Sequence, residues 1–173
     1  QHPRLTVIEA NILDLSDDEL TTAVDGCTAV VSCLGHVLSV RGLFGAPRQL
    51  CTEATQRLCA AIARTKPKTP VKFILMNSVG VSNPNQHEPR TWVERSVLTL
   101  LRWFIPPHRD NETAAQHLRE TYSSEHPFVS WCSVRPDSLI NAEISSYQTV
   151  SSPVTGLFSG RPTSRANVAH FMT

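Results

Sequence analysis

The chain has 173 residues, 40% hydrophobic and 18% charged, with a formal net charge of +1, the proportions of a domain with a real core and not of a disordered tail. That balance gives no broad basic face for nucleic acid, and no run of about 18 apolar residues exists to span a membrane; neither partner is expected. The seven histidines and five cysteines show no metal-ligand spacing, so no metal site is expected.

The first stretch, Leu5 to Ala10, has the composition of a strand and leads into the acidic turn Asn11-Ile12-Leu13-Asp14. Ser16 and Glu19 then form an S-x-x-E capping box, with Leu15 and Leu20 placed as its hydrophobic staple. Leu20, Ala23 and Val24 give this helix an apolar face, and Gly26 can end it. Ala29 to Leu34 is an unbroken apolar run stopping at Gly35, the pattern of a parallel strand covered on both faces. A Gly-bearing loop, 40–45, precedes Pro47, which is placed to open a helix. Leu50, Ala54, Leu58, Ala61 and Ile62 recur at helical spacing up to Arg64. Val71 to Met76 is the next buried strand and runs into Asn77-Ser78-Val79-Gly80. Alternating strands and helices of this kind predict an α/β fold, a doubly wound parallel sheet with helices on both faces.

Beyond a polar loop, 83–89, Arg90 to Phe104 reads as a helix with Val93, Val97, Leu100, Leu101 and Phe104 on one face, widened by Trp92 and Trp103. Core packing is the expected use of that face; covering a pocket or meeting a partner chain is the alternative. Pro106-Pro107 is expected to break the chain before Asp110, which reads as the N-cap of a helix carrying Ala114, Ala115, Leu118 and Tyr122. Phe128 to Val134 is a third strand, stopped by Arg135-Pro136. A loop-rich tail leads to a last helix starting near Ser164. Cys27, Cys33, Cys51, Cys59 and Cys132 form no C-x-x-C pair, and four of them lie in apolar stretches. They read as reduced core thiols, hence a reducing, cytoplasmic setting. No signal-peptide profile opens the chain, and Gln1 in place of an initiating Met suggests a partial or processed product.

Taken together, Val7 to Asp14, Ala29 to Gly35, Phe73 to Gly80, Val134-Arg135-Pro136 and Thr163 to Met172 resemble an atypical short-chain dehydrogenase/reductase of the NmrA-like, NAD(P)-binding kind. The resemblance covers nearly the whole chain, residues 1–173, as one Rossmann-like domain, with small substrate-covering segments at about 84–108 and 137–163. It implies NAD or NADP as cofactor, and Asn11, Ile12, Cys33, Leu34, Gly35, Asn77, Ser78, Arg135 and Pro136 as residues lining it. Asn11 stands where relatives place Asp. Ser78 is the implied catalytic residue, orienting a carbonyl. In open α/β sheets ligands lie beyond the carboxyl ends of the strands, so these residues are expected to converge on one crevice.

Two departures from the family pattern bear on function. Counting back from Leu118-Arg119 places Pro107 where relatives carry the Tyr of a Tyr-x-x-x-Lys pair and Asn111 where they carry the Lys, and neither can do that proton chemistry. His108, Asp110 and Glu112 lie nearby as substitutes, or as the acidic first turn of an ordinary helix. There is also no G-x-G-x-x-G in the 173 residues. In the strand order 3-2-1-4-5-6, two strands would stand between Leu5–Ala10 and Ala29–Leu34, so the sheet is expected to be N-terminally incomplete, with an open edge. The expected function is hydride transfer between nicotinamide and a small organic substrate. A non-catalytic NAD(P) sensor or scaffold acting on a regulated protein is the alternative, and a homodimer is compatible with either. A flavodoxin-like module fits the Arg135-Pro136 strand end and the last helix less well.

Overall fold

A computed structural model describes residues 4–37, 39–86, 88, 90–151 and 160–173. In chain order its elements are α1 (Asp17–Val24), β1 (Ala29–Ser32), α2 (Val40–Phe44), α3 (Leu50–Thr65), β2 (Val71–Met76), α4 (Trp92–Phe104), α5 (Pro106–Thr121), β3 (Val129–Val134), β4 (Leu139–Ile140), β5 (Thr163–Ser164) and α6 (Arg165–Met172). The central sheet runs β1-β2-β3 and is parallel throughout, with Val31 beside Ile74 and Ile74 beside Cys132. A parallel sheet reached through helical crossovers is the α/β, Rossmann-like architecture expected from the alternating pattern.

The two faces of that sheet differ. Phe73, Leu75 and Val129 point into a core shared with Leu20 and Val24 of α1, Leu58 and Ile62 of α3, and Ala114 and Leu118 of α5. α1, α3 and α5 pack side by side over it. On the opposite face Val31 is 41% exposed, and Lys72, Ser130 and Cys132 are also exposed. Coverage there is thus thinner than an unbroken apolar run suggests, because the helices that touch one another share a single layer.

Several local expectations change. Leu5 to Ala10 forms no strand and lies open, with Val7 62% and Ile8 68% exposed. A strand exists through hydrogen bonds to a neighbour, whatever its composition, and among the described residues this stretch has none. The loop expected at 40–45 contains the short helix α2. The helix expected to open at Pro47 begins at Leu50. The expected break falls at Ile105, between α4 and α5, and Pro106 and Pro107 do not lie beyond it as a linker; they occupy the first turn of α5, where a missing N–H costs nothing. Asp110 therefore lies inside a helix and is not its N-cap. Cys51 and Cys59 are buried thiols as expected, but Cys27, Cys33 and Cys132 are exposed, all five being free.

The capping box expected at Ser16 and Glu19 is present. Ser16 Oγ accepts from the Glu19 amide at 3.2 Å, and the Glu19 carboxylate accepts from the Ser16 amide at 2.7 Å. Arg57 of α3 then fastens the turn ahead of α1, donating to the carbonyls of Ile12, Leu13 and Leu15. α4 starts with an equivalent box made by Thr91 and Glu94. No helix among the described residues is long and apolar enough to cross a membrane.

Candidate functional site

Because β1, β2 and β3 are parallel neighbours, the residues that follow them emerge at one end of the sheet. Cys33, Leu34 and Gly35 leave β1, Asn77 and Ser78 leave β2, and Arg135 and Pro136 leave β3. The last two turns are stitched together: the Asn77 amide donates to the Val134 carbonyl at 2.8 Å and the Val79 amide to the Pro136 carbonyl at 3.1 Å. Asn11 and Ile12 are not on the sheet. Asn11 uses its own side chain locally, donating to Asp14 at 2.9 Å and accepting from the Leu13 amide at 3.2 Å, while the carbonyl of Ile12 is held by Arg57.

The residues at the strand ends divide by what already occupies them. Asn77 is 9% exposed; its amide nitrogen donates to the Asn111 carbonyl at 3.1 Å and its oxygen accepts from the Ser78 amide at 2.9 Å. Arg135 donates to the Val81 carbonyl and, at 2.5 Å, to Glu88. Both side chains are therefore committed to the fold, Asn77 to Ser78 and α5, and Arg135 to Val81 and Glu88. Gly35 is exposed, and a Cβ built on it would meet no described atom within 4 Å. Nothing in the fold itself requires glycine there.

Ser78 and His108 flank Gly80. The position a Cβ would take on Gly80 lies 3.6 Å from Ser78 Oγ, 3.3 Å from His108 Cε1 and 3.7 Å from His108 Nδ1. Ser78 Oγ accepts the Gly80 amide at 3.2 Å, which leaves its own proton available for donation. On the far side of the ring, His108 Nε2 is 3.6 Å from Glu112 Oε1, one helical turn along α5, and Glu112 is paired with Arg102 at 2.9 Å. Burial holds the imidazole below its ordinary value; the Glu112 charge opposes the shift, and Arg102 and Arg90 add to it. A neutral ring is the form that can accept a proton near pH 7.

A buried constellation that sequence reasoning missed joins three segments. The carboxylate of Asp110, 2% exposed, accepts from the amides of Cys51 at 2.8 Å and Thr52 at 3.0 Å, and contacts His36 Nε2 at 2.9 Å. Gln49, the N-cap residue of α3, makes no side-chain cap bond, so Asp110 caps α3 from α5. This answers the orphan amides of the first turn and removes Asp110 from the list of proton carriers. The donor atoms of His36, Cys51 and Asp110 lie within 4.8 Å of one another. The carboxylate already accepts from two amides, and burial, helped by the Asp110 charge, pushes the Cys51 thiol up to about 12; what the group does in the fold is cap α3. Its one sequence signal was a histidine directly after a strand-ending glycine.

Two clefts adjoin these turns. One of about 450 Å³ lies along β3, between α5 and α6, and is lined by Arg119, Trp131, Arg135, Asp137, Tyr147 and Phe171 among others. The other, of about 400 Å³, lies between residues 82–86 and α4, and Arg90, Arg95, Arg102, Glu88 and Glu112 face it. The sequence pattern of the NAD(P)H-binding family matches residues 1–173. No curated protein matches the chain. The chain belongs to the NAD(P)H-binding family.

Proposed function

We propose that this chain works as a nicotinamide-dependent oxidoreductase on a small organic substrate, with NAD or NADP laid across the ends of β1, β2 and β3. The observation that carries the reading is the clustering of three parallel strand ends, with open space at Gly35 where a Cβ would meet no described atom. Such a gap suits the close approach of a flat ligand to backbone. Gly35, with the backbone of Cys33 and Leu34, would hold one side of the dinucleotide. Asn77 and Arg135 would act through the turns they brace. Asn11 and Ile12 would contribute from their turn outside the sheet.

The cofactor, when bound, supplies or accepts the hydride. Ser78 would hydrogen-bond a substrate oxygen through its free hydroxyl and keep its own proton; His108, neutral at rest through burial, would accept at Nδ1 the proton an alcohol releases on oxidation and, as the imidazolium, give it to the carbonyl oxygen on reduction. That assignment fits Pro107 and Asn111 standing at the positions where relatives carry Tyr and Lys. The clefts bordered by α4 and by residues 147–151 and 160–163 offer room for the substrate; residues 87, 89 and 152–159 of the expected covering segments lie outside the described residues. The second reading, an NAD(P) sensor or scaffold acting on a regulated protein, is favoured by the same substitution. Pro107 serves α5 as part of its first turn, and Asn111 offers its carbonyl to Asn77.

The test is turnover of a carbonyl panel by the full-length protein with NADH and NADPH, alongside the Ser78→Ala variant. The oxidoreductase reading expects slower turnover in the variant, by about a hundredfold, with nearly unchanged nucleotide affinity. Saturable nucleotide binding without turnover of any carbonyl would establish the sensor in its place. An unaltered rate in the variant would remove Ser78 from the chemistry.

A further inference from the structure

Neither the core nor the proposed site uses the exposed apolar side of α4. α4 docks through Glu94, which is buried, and through the half-buried Val97, Leu98 and Leu101, with Arg102 paired to Glu112 of α5. The rest of its apolar surface faces solvent. Trp92 is 79% exposed, Trp103 80%, Phe104 67%, Leu100 56% and Val93 43%. Core packing, the expected use of this face, thus holds only for Val97 and Leu101, while Val93, Leu100 and Phe104 stay outside it. Those five residues and Ser96 form one stripe without a charge, since Arg95 and Arg102 lie on the other flank of the 3.6-residue period.

We propose that this stripe is the contact surface for a second copy of the chain, two α4 helices packing antiparallel about a two-fold axis. Area is the first argument. Burying an aromatic side chain removes about 150–250 Å², so Trp92, Trp103 and Phe104 together supply roughly 500 Å² per chain. Leu100 and Val93 carry the total toward the ~800 Å² per partner of a standard interface. Self-complementarity is the second. An antiparallel pair centred on Leu98 sets Trp92 against Phe104, Val93 against Trp103, and Ser96 against Leu100 of the other copy. Large residues then meet at the ends and a small one receives a leucine near the centre, the isologous pattern a two-fold axis demands. Charge is the third. A helix built for an anionic membrane surface carries many Lys and Arg on its polar side; α4 has two arginines, and Arg102 is already paired with Glu112.

The experiment is light scattering of the full-length protein across a dilution series, repeated for Trp103→Ser combined with Phe104→Ser. Both side chains are exposed, so circular dichroism of the double variant should match the parent. The interface predicts a two-chain mass that falls toward one chain on dilution, and a dissociation constant at least about a hundredfold weaker in the variant. A one-chain mass at every concentration overturns it, as does a dimer that the substitutions leave unchanged. Binding of one-chain species to phosphatidylserine vesicles, read by tryptophan fluorescence and lost in the variant, would overturn it in favour of a membrane surface.

Discussion

Glu88 illustrates how much a single buried charge can organise. Only 8% exposed, it accepts from Arg135 at 2.5 Å, Arg90 at 3.0 Å and the Asn83 amide at 2.9 Å. Burial by itself would raise its pKa. The hydrogen bonds from Arg135, Asn83 and Arg90 and the charge of Arg135 outweigh that, and hold the carboxyl below its ordinary 4.5. Removing the charge takes the shared counter-ion from two guanidinium groups, which keep, among the described residues, only the carbonyls of Val79 and Val81, and breaking a partly buried pair of this kind costs about 3 kcal/mol. Glu88→Gln should therefore lower the unfolding free energy by that order in urea titrations at neutral pH. The sign of the pH effect follows from the depressed value. The stabilisation is complete above the ordinary carboxylate range and is lost as pH falls through the folded value. The gap between parent and variant should accordingly shrink on acidification, and a gap that widens would show the network is not held by charge.

At the scale of elements, α3 shows why part of the architecture could be read in advance and part could not. Its apolar positions repeat within 16 residues, and the Ser16–Glu19 and Thr91–Glu94 caps close over three; local patterns of this sort need no knowledge of the fold. The cap of α3 itself comes from Asp110, 58 and 59 residues away from the amides it receives, and no spacing rule connects them. Asp110→Ala should destabilise the protein by about 3 kcal/mol, leaving two buried amides without an acceptor. Asp110→Asn, keeping one acceptor, should lose about half as much, and equal losses in the two variants would contradict the capping role. Leu5 to Ala10 and α4 show the same limit from the other direction. Alternation and helical period state which face is apolar, but what lies opposite is decided by the rest of the molecule. Pro106-Pro107 reads as a break before a helix capped by Asp110, whereas the helix starts at Pro106 itself, because a proline fits a first turn as well as it ends a preceding one.

For the molecule as a whole, the strand ends were the most legible part of the candidate site. Parallel pairing alone brings Gly35, Ser78 and Pro136 to one edge of the sheet, whatever their side chains do. Asn77 and Arg135 could not be sorted from ligand-facing residues beforehand, because their commitments to Asn111 and Glu88 run through long-range contacts. His108 acquires interest only from its place beside Gly80 and Glu112. Everything functional rests on a nucleotide lying across that edge, and equilibrium titration of the full-length protein with NADH and NADPH, followed by nicotinamide fluorescence, addresses it directly. Saturable binding of at least one of them, weakened when Gly35→Val places a branched side chain in the open space, is the predicted result. Failure of both nucleotides to bind, or binding indifferent to that substitution, would contradict the placement of a cofactor at these strand ends.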